Sequence, residues 1–325
     1  MSADGKIALT GSLDQSARLW DTATAMQIGP SLQHRAYVYP VALSADGKTA
    51  LTGSYDNTAR IWDTASGKPI GLQLQHENYV DAVAISTDGK TALTGSSDKT
   101  AQIWDTASGK PLGPSLQHQD VVTAVAISAD GSKILTGSAA LARIWNRTTG
   151  ELISALQHHD YVRAVALDAG GTIALTGSAD NTARLWEVAT GKPIGPPLQH
   201  QGGVFAVALS QDGKIALTGS EDKTARLWET ITGKQIGQPM RHQGSVLTVA
   251  ISADGKTAMT GSEDTTARLW KVPEPISGEP EKIKLWAQVI TGMEIDEFGA
   301  VRLFDNAEWQ NRRARLEKPG GHLVK

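Results

Sequence analysis

The chain has 325 residues, a formal net charge of −3 and no cysteine. This charge balance gives no indication of a nucleic-acid partner, and the lack of cysteine excludes disulfide bonds and thiolate metal sites and fits a cytoplasmic protein. No apolar stretch reaches the length of a membrane-spanning helix, and no apolar signal core follows Met1, so no membrane partner is predicted.

Most of the chain is one segment repeated. Seven tryptophans recur at intervals of 41 or 42 residues: Trp20, Trp62, Trp104, Trp145, Trp186, Trp228 and Trp270. In the repeat that starts at His76, three apolar runs are separated by two turns, the first with Asp-Gly at its centre, and a weaker fourth run follows. Four short strands in each repeat of this length are typical of a propeller blade, so the sequence predicts an all-β, seven-bladed propeller.

The repeat resembles a blade of the WD40 (WD-repeat) family. His76, Thr94, Asp98 and Trp104 stand at the spacing of that family's hydrogen-bonded tetrad. The resemblance implies that Asp bonds His, that the Thr hydroxyl continues the chain of hydrogen bonds, and that the indole N–H ends it, which leaves no buried polar group unpaired. The same tetrad recurs in four more blades: His34, Thr52, Asp56, Trp62; His158, Thr176, Asp180, Trp186; His200, Thr218, Asp222, Trp228; and His242, Thr260, Asp264, Trp270.

The first repeat begins inside a blade. Residues Met1–Lys6 align with the turn that follows the first strand in later repeats, so blade 1 keeps Thr10, Asp14 and Trp20 but lacks its innermost strand and its histidine. Either the chain is the C-terminal piece of a longer protein, which we favour, or another segment fills the gap. A blade left with three strands exposes an edge, which predicts a tendency to self-associate there.

Blades 4 and 5 depart from the repeat. The second turn of blade 4 is one residue shorter, and Ala139–Leu141 stand where the other blades have the tetrad aspartate. We therefore expect His118 to lose its usual partner. Blade 5 has Gly170–Gly171 where the other blades have Asp-Gly.

The repeat pattern stops after Trp270. We expect a propeller over residues 1–272, a Pro-rich link over 273–280 with a short outer strand near Pro275–Gly278, and a small α/β extension over 281–325. The extension is predicted to be a helix, a hairpin with its turn at Glu297–Gly299, and a second helix capped by Asp305 or Asn306. The first helix carries an apolar face that we expect to dock on the propeller: Ile283, Trp286, Val289, Ile290 and Met293.

This tail also resembles the C-terminal end of bacterial WD40-repeat signalling proteins that carry an N-terminal Ser/Thr kinase domain. The resemblance lies in the segments TGMEIDEFGAVRLFD and AEWQNRRARL. No kinase motif stands in the 325 residues. In the second segment, Arg312, Arg313 and Arg315 are interpreted as a solvated helix face.

No catalytic residue, cofactor or metal site is predicted. Most histidines occur once per blade, and copies in different blades cannot converge on one ion. The Gly-Lys-Thr triplets that begin at Gly47, Gly89 and Gly255 lack the upstream glycine of a phosphate-binding loop, so they are interpreted as turns. The remaining acidic and hydroxyl residues belong to the repeated framework, which argues against an enzyme.

The positions that vary among the repeats indicate where recognition takes place. They follow each tetrad histidine, lie early in the first strand or form the tip of the second turn, and in a propeller they share one face around the channel mouth. Random drift would not collect every tyrosine of the chain on that face. The predicted partner-binding residues are Tyr37, Tyr39, Tyr55, Tyr79, Asp81, Tyr161, Arg163 and Phe205.

The predicted function is therefore a non-catalytic scaffold that binds another protein or a peptide through this loop face. Two alternatives stay open: the regulatory or sensory part of a bacterial Ser/Thr kinase, and a ligand-binding propeller.

Overall fold

The computed structural model describes residues 1–252, 254–273, 280–295 and 301–316. The chain divides into two compact units, Met1–Val272 and Pro273–Lys325. In the first unit, each repeat forms one antiparallel sheet, which confirms the seven-bladed β-propeller. Within the described ranges, no helix is long and apolar enough to cross a membrane.

The strands of the seven blades follow one another in chain order. They are β1 (Ile7–Gly11), β2 (Ser16–Asp21) and β3 (Gln27–Gln33) in blade 1; β4 (Val38–Leu43), β5 (Thr49–Ser54), β6 (Thr58–Asp63) and β7 (Lys68–Gln75) in blade 2; β8 (Val80–Ile85), β9 (Thr91–Ser96), β10 (Thr100–Asp105) and β11 (Leu116–Gln117) in blade 3; β12 (Val122–Ile127), β13 (Lys133–Ser138), β14 (Leu141–Asn146) and β15 (Leu152–Gln157) in blade 4; β16 (Val162–Leu167), β17 (Ile173–Ser178), β18 (Thr182–Glu187) and β19 (Pro193–Gln199) in blade 5; β20 (Val204–Leu209), β21 (Ile215–Ser220), β22 (Thr224–Glu229) and β23 (Gln235–Arg241) in blade 6; and β24 (Val246–Ile251), β25 (Thr257–Ser262) and β26 (Ala267–Lys271) in blade 7.

Blades are held to their neighbours by small hydrophobic cores. Between blades 5 and 6, Leu175 and Leu185 pack with Val204 and Trp228. Six cores of this kind join blade 1 through blade 7 in sequence order. Burial of one such leucine contributes roughly 1.5–3 kcal/mol, so each interface is a substantial part of the stability of the fold.

A glycine in the second strand of each complete blade lets neighbouring blades approach. A Cβ on Gly219 would lie 2.7 Å from a methyl carbon of Val246 and 2.8 Å from one of Val249, both on the inner strand of blade 7. Real side chains do not approach so closely. The repeated Thr-Gly-Ser sequence at the end of the second strand is therefore a packing requirement of the ring.

The first blade has three strands in the order β1-β2-β3, so the prediction that its innermost strand is missing is confirmed. Blade 7 also has three described strands, β24-β25-β26. The outer strand predicted near Pro275–Gly278 lies outside the described residues.

Blade 5 replaces the usual first-turn hydrogen bonds with those of a single carboxylate. In blade 6, Ser210 accepts the backbone N–H of Ile215, and Asp212 braces the turn. In blade 5, Asp168 stands in the serine position and accepts the N–H groups of Thr172 and Ile173 at 2.7 and 2.8 Å. The Gly-Gly turn of this blade thus keeps its bracing without the usual Asp-Gly.

The second unit contains α1 (Pro280–Thr291), β27 (Met293–Ile295), β28 (Val301–Leu303) and α2 (Asn306–Leu316). β27 and β28 pair as an antiparallel hairpin, whose predicted turn at Glu297–Gly299 lies outside the described residues. Asp305 accepts the N–H of Glu308 at 2.7 Å, and the Glu308 carboxylate accepts the N–H of Asp305 at 3.3 Å. This reciprocal capping box fixes the start of α2.

The interpretation of the arginine cluster as a solvated face is wrong for Arg312. Its guanidinium donates to the side chains of Gln288 and Glu294, each at 2.6 Å, and lies 4.3 Å from the ring centroid of Phe304. Arg312 therefore ties α2 to α1 and to the hairpin. The side chains of Ile283 and Trp286 lie outside the described residues, so the docking of α1 on the propeller stays a prediction.

Candidate protein-interaction face

The tetrads hold the loops that form the predicted recognition face. In blade 6, His200 Nδ1 lies 2.9 Å from Asp222 and its Nε2 lies 2.7 Å from Thr218 Oγ1, which also accepts the Trp228 indole N–H at 2.8 Å. Asp222 accepts the backbone N–H of Gln201 at 3.0 Å, just after the histidine. The tetrad thus fixes the loop that leads from the outer strand of one blade to the inner strand of the next.

Burial and hydrogen bonding shift the pKa values of the carboxylate and the imidazole in the tetrad of blade 2. Burial opposes ionisation of Asp56, but hydrogen bonds from Thr58, from the N–H of Arg35 and from His34 hold its pKa at about 2. Burial lowers the pKa of His34 despite the nearby Asp56. With a neutral ring, Nδ1–H donates to Asp56, while Nε2 accepts from the hydroxyl of Thr52, which lies 2.7 Å away.

Blade 4 has only part of a tetrad. The turn between β13 and β14 is reduced to Ala139 and Ala140, since Ser138 pairs directly with Leu141, and no carboxylate stands there. His118 Nδ1 lies 3.0 Å from the carbonyl oxygen of Leu116 instead, and its Nε2 lies 2.8 Å from Thr136 Oγ1. The loop after His118 therefore lacks the carboxylate brace that the complete blades have.

His118 should make stability depend on pH. Burial lowers its pKa to about 4, against about 6.5 in an unfolded chain. Between these values the unfolded chain binds a proton that the folded chain does not, so the free energy of unfolding falls as the pH drops through this range. Relative to His118→Gln, we expect the wild type to lose on the order of 1 kcal/mol between pH 7 and 4.5.

Urea unfolding at both pH values measures this difference. His159→Gln, in which an exposed ring is replaced, is the control for removal of a histidine. An identical pH dependence in the wild type and in His118→Gln would contradict the assignment.

Four tyrosines of blades 2 and 3 meet at the end of the sheets where the tetrad loops lie. The rings of Tyr55 and Tyr79 stack with centroids 4.5 Å apart and an interplanar angle of 12°. Tyr37 lies 6.3 Å from Tyr55, and Tyr39 on β4 is 69% exposed. The stack joins the second turn of one blade to the loop that begins the next.

A half-buried carboxylate accompanies these rings. Asp81 accepts a hydrogen bond from the Ser97 hydroxyl at 2.6 Å. Burial raises the pKa of Asp81. The hydrogen bonds from Ser97 lower it, and the nearby charge of Asp98 raises it further. Burial, followed by the charge of Asp81, also raises the pKa of Tyr55. We call Tyr37, Tyr39, Tyr55, Tyr79 and Asp81 the tyrosine cluster.

The other predicted partner-binding residues lie in other blades. In blade 5, the guanidinium of Arg163 lies 5.9 Å from the ring centroid of Tyr161, and both side chains are exposed. Phe205, on the inner strand of blade 6, is half-buried. Among the described residues, no group of three or more histidines and carboxylates is placed to hold a metal ion.

A sequence profile described as WD domain, G-beta repeat matches seven segments of the chain: residues 1–21, 31–63, 67–105, 109–146, 150–187, 191–229 and 233–271. Among solved structures, the crystal structure of the computationally designed Ika8 protein is similar, with a TM-score of 0.71 and 25% identity over 82% of this chain and 81% of that chain. No curated protein matches the sequence. Because the seven matched segments cover most of the residues, the chain belongs to the WD40 repeat family.

Proposed function

We propose that the chain is a non-catalytic scaffold that binds another protein or a peptide through the tyrosine cluster. The observation that carries the proposal is the stacked pair Tyr55–Tyr79, which joins two blades, together with the half-buried carboxylate of Asp81 two residues after Tyr79. Tyrosine is enriched in interface cores because a rigid ring buries much surface at little entropic cost and keeps a polar group for hydrogen bonding. Tyr37 and Tyr39 extend this surface into solvent.

The chemistry of the cluster favours a basic side chain on the partner. Aromatic faces attract a guanidinium or ammonium group by about 0.5–2 kcal/mol, and the attraction grows as water is excluded. Asp81 adds a carboxylate that accepts a hydrogen bond from the neutral hydroxyl of Ser97. An arginine or lysine placed against the rings would supply the opposite charge.

Affinity capture from a lysate of the source cells tests the location of the site. We expect a partner that is retained by the wild type and lost with the Tyr37/Tyr39/Tyr79→Ser variant. A Leu72/Ile231→Ser variant, which removes exposed apolar side chains outside the cluster, should retain it. A partner held equally by the tyrosine variant would contradict the proposal.

The charge of the partner residue is tested with Asp81→Asn. Affinity for the captured partner should fall about tenfold, which corresponds to about 1.4 kcal/mol. Replacing arginines or lysines of the partner segment one at a time should identify a residue whose loss no longer weakens binding to Asp81→Asn. If no basic residue couples to Asp81 in this way, the partner is not recognised through a cation.

A further inference from the structure

Among the described residues, one blade interface has no hydrophobic core of the kind that joins the other six pairs of blades. Leu269, on β26 of blade 7, is 71% exposed, whereas its counterparts Leu185 and Leu227 are 1% and 4% exposed. On the facing side, Thr10 of β1 is exposed, while its counterpart Thr218 is fully buried. We call this gap between blade 7 and the edge of β1 the open interface.

The backbone of β1 offers one free edge at the open interface. β1 pairs with β2 only, whereas β21, its counterpart in blade 6, pairs with β22 on one side and with the inner strand β20 on the other. A cavity of about 770 Å³ extends from the channel to Met259 and Leu269, and the turn Met1–Gly5 also lines it. The missing element is therefore one extended strand.

The packing of the complete interfaces shows which side chains that strand must carry. At four interfaces, a Cβ on the glycine of the second strand would meet two valines of the next inner strand, as one on Gly219 would meet Val246 and Val249. A Cβ on Gly261, the counterpart in blade 7, would have only Thr248 Cγ2 within 4 Å. Two valines separated by two residues are thus missing next to Gly261.

The tetrad of blade 1 also lacks its histidine, which in the complete blades comes just before the inner strand. Trp20 donates to Thr10 Oγ1 at 2.8 Å, as in the complete blades. Asp14 accepts a hydrogen bond from the guanidinium of Arg18 at 2.6 Å. In blade 6 the corresponding distance is 3.4 Å, and the Asp222 oxygen there also accepts from His200 and from the backbone N–H that follows it. An imidazole at the start of the missing strand would bond both Asp14 and Thr10.

We propose that the open interface binds an antiparallel strand of the pattern His-x-x-x-Val-x-Ala-Val-Ala, supplied by a partner polypeptide. His200, Val204 and Val207 show this spacing in blade 6. Such a strand would pair with the free edge of β1, cover Leu269 and complete the tetrad. A second copy of the chain is a poorer donor, because each of its inner strands already pairs with the second strand of its own blade.

A labelled synthetic peptide tests the proposal. The probe is LQHQGGVFAVALSQ, residues 198–211 of the chain itself, and its binding to the 325-residue protein is measured by fluorescence anisotropy. We expect saturable binding that weakens at least 100-fold when Val204 and Val207 of the peptide are replaced by Asp. Peptide His200→Ala should bind about tenfold more weakly to the wild type but lose no further affinity for the Thr10→Val chain.

Two protein variants locate the peptide. Leu269→Arg should abolish binding, since the charge would be buried under the strand, yet the variant should fold because Leu269 is exposed in the free chain. Ile231→Arg, at an exposed position of blade 6, should bind like the wild type, as should the tyrosine variant described above. If this peptide does not bind, the proposal for the tyrosine cluster is not affected, because that proposal concerns a different surface and a different partner.

Three results would overturn the proposal. The first is an absence of saturable binding, and the second is equal binding to the wild type and to Leu269→Arg. The third is a dimer in sedimentation velocity that Leu269→Arg dissociates and the peptide does not, since this would assign the open interface to a second copy of the chain.

Discussion

Replacing Thr218 with valine is expected to lower the free energy of unfolding by about 2–4 kcal/mol. The hydroxyl is fully buried and bonds both His200 Nε2 and the indole N–H of Trp228. Valine keeps the shape of the side chain but leaves two buried ring nitrogens without a partner, and each unpaired group carries its own desolvation cost. Urea unfolding followed by tryptophan fluorescence measures the change.

Thr10→Val is the matched control for this prediction. The same hydroxyl in blade 1 bonds Trp20 but has no histidine, and it is exposed to water, which can replace the lost bond. We expect a change below about 1 kcal/mol. If both valine variants unfolded at the same urea concentration, the buried tetrad would not be a major source of stability.

Replacing Gly219 with valine is expected to cost about 3 kcal/mol or more. The new Cβ would lie 2.7 and 2.8 Å from methyl carbons of Val246 and Val249. These neighbours are β-branched and sit on a paired inner strand, so they have few rotamers into which they can withdraw. Blades 6 and 7 would have to separate, and the core between them would lose contacts. Thermal unfolding of the purified variant measures the loss.

Gly261→Val makes the same change next to the open interface. The new Cβ would lie 2.7 Å from Thr248 Cγ2 of the same blade, but no described residue of a neighbouring blade lies within 4 Å of it, so we expect a smaller loss of stability than for Gly219→Val. The added methyl groups would occupy the space of the missing valines, so this variant should also bind the strand peptide more weakly than the wild type. If Gly219→Val and Gly261→Val lowered the stability equally, contacts between blades would not explain why glycine stands at this position.

The blades could be predicted from the sequence because the signals for them are local. The spacing of His34, Thr52, Asp56 and Trp62 gives strand order and turn positions within one blade, and the comparison of repeats shows what blade 1 lacks. Hydrogen bonds across a hairpin depend on this spacing alone. The two short helices of the extension and their hairpin follow from equally local capping and turn residues.

Contacts between blades were harder to predict. The stacking of Tyr55 on Tyr79 joins two repeats, so neither repeat alone indicates it. The exposure of Leu269 depends on a strand that is missing from the next blade. Asp168 replaces a serine and an aspartate at once, and Arg312 bonds residues far from it in sequence. For Tyr55, Leu269 and Arg312 the partner, or its absence, is set by how sheets or helices face each other. Asp168 bonds residues of its own turn, but the repeat pattern does not indicate that one carboxylate can take both roles.

Amide hydrogen exchange of the chain, alone and with its captured partner, tests the central claim most directly. If recognition takes place at the tyrosine cluster, exchange should slow in residues 35–39, 55–57 and 77–81. It should stay unchanged in the first turns of the same blades, residues 45–48 and 87–90, at the opposite end of the sheets. Protection confined to those first turns or to the outer strands would contradict recognition by the tyrosine cluster.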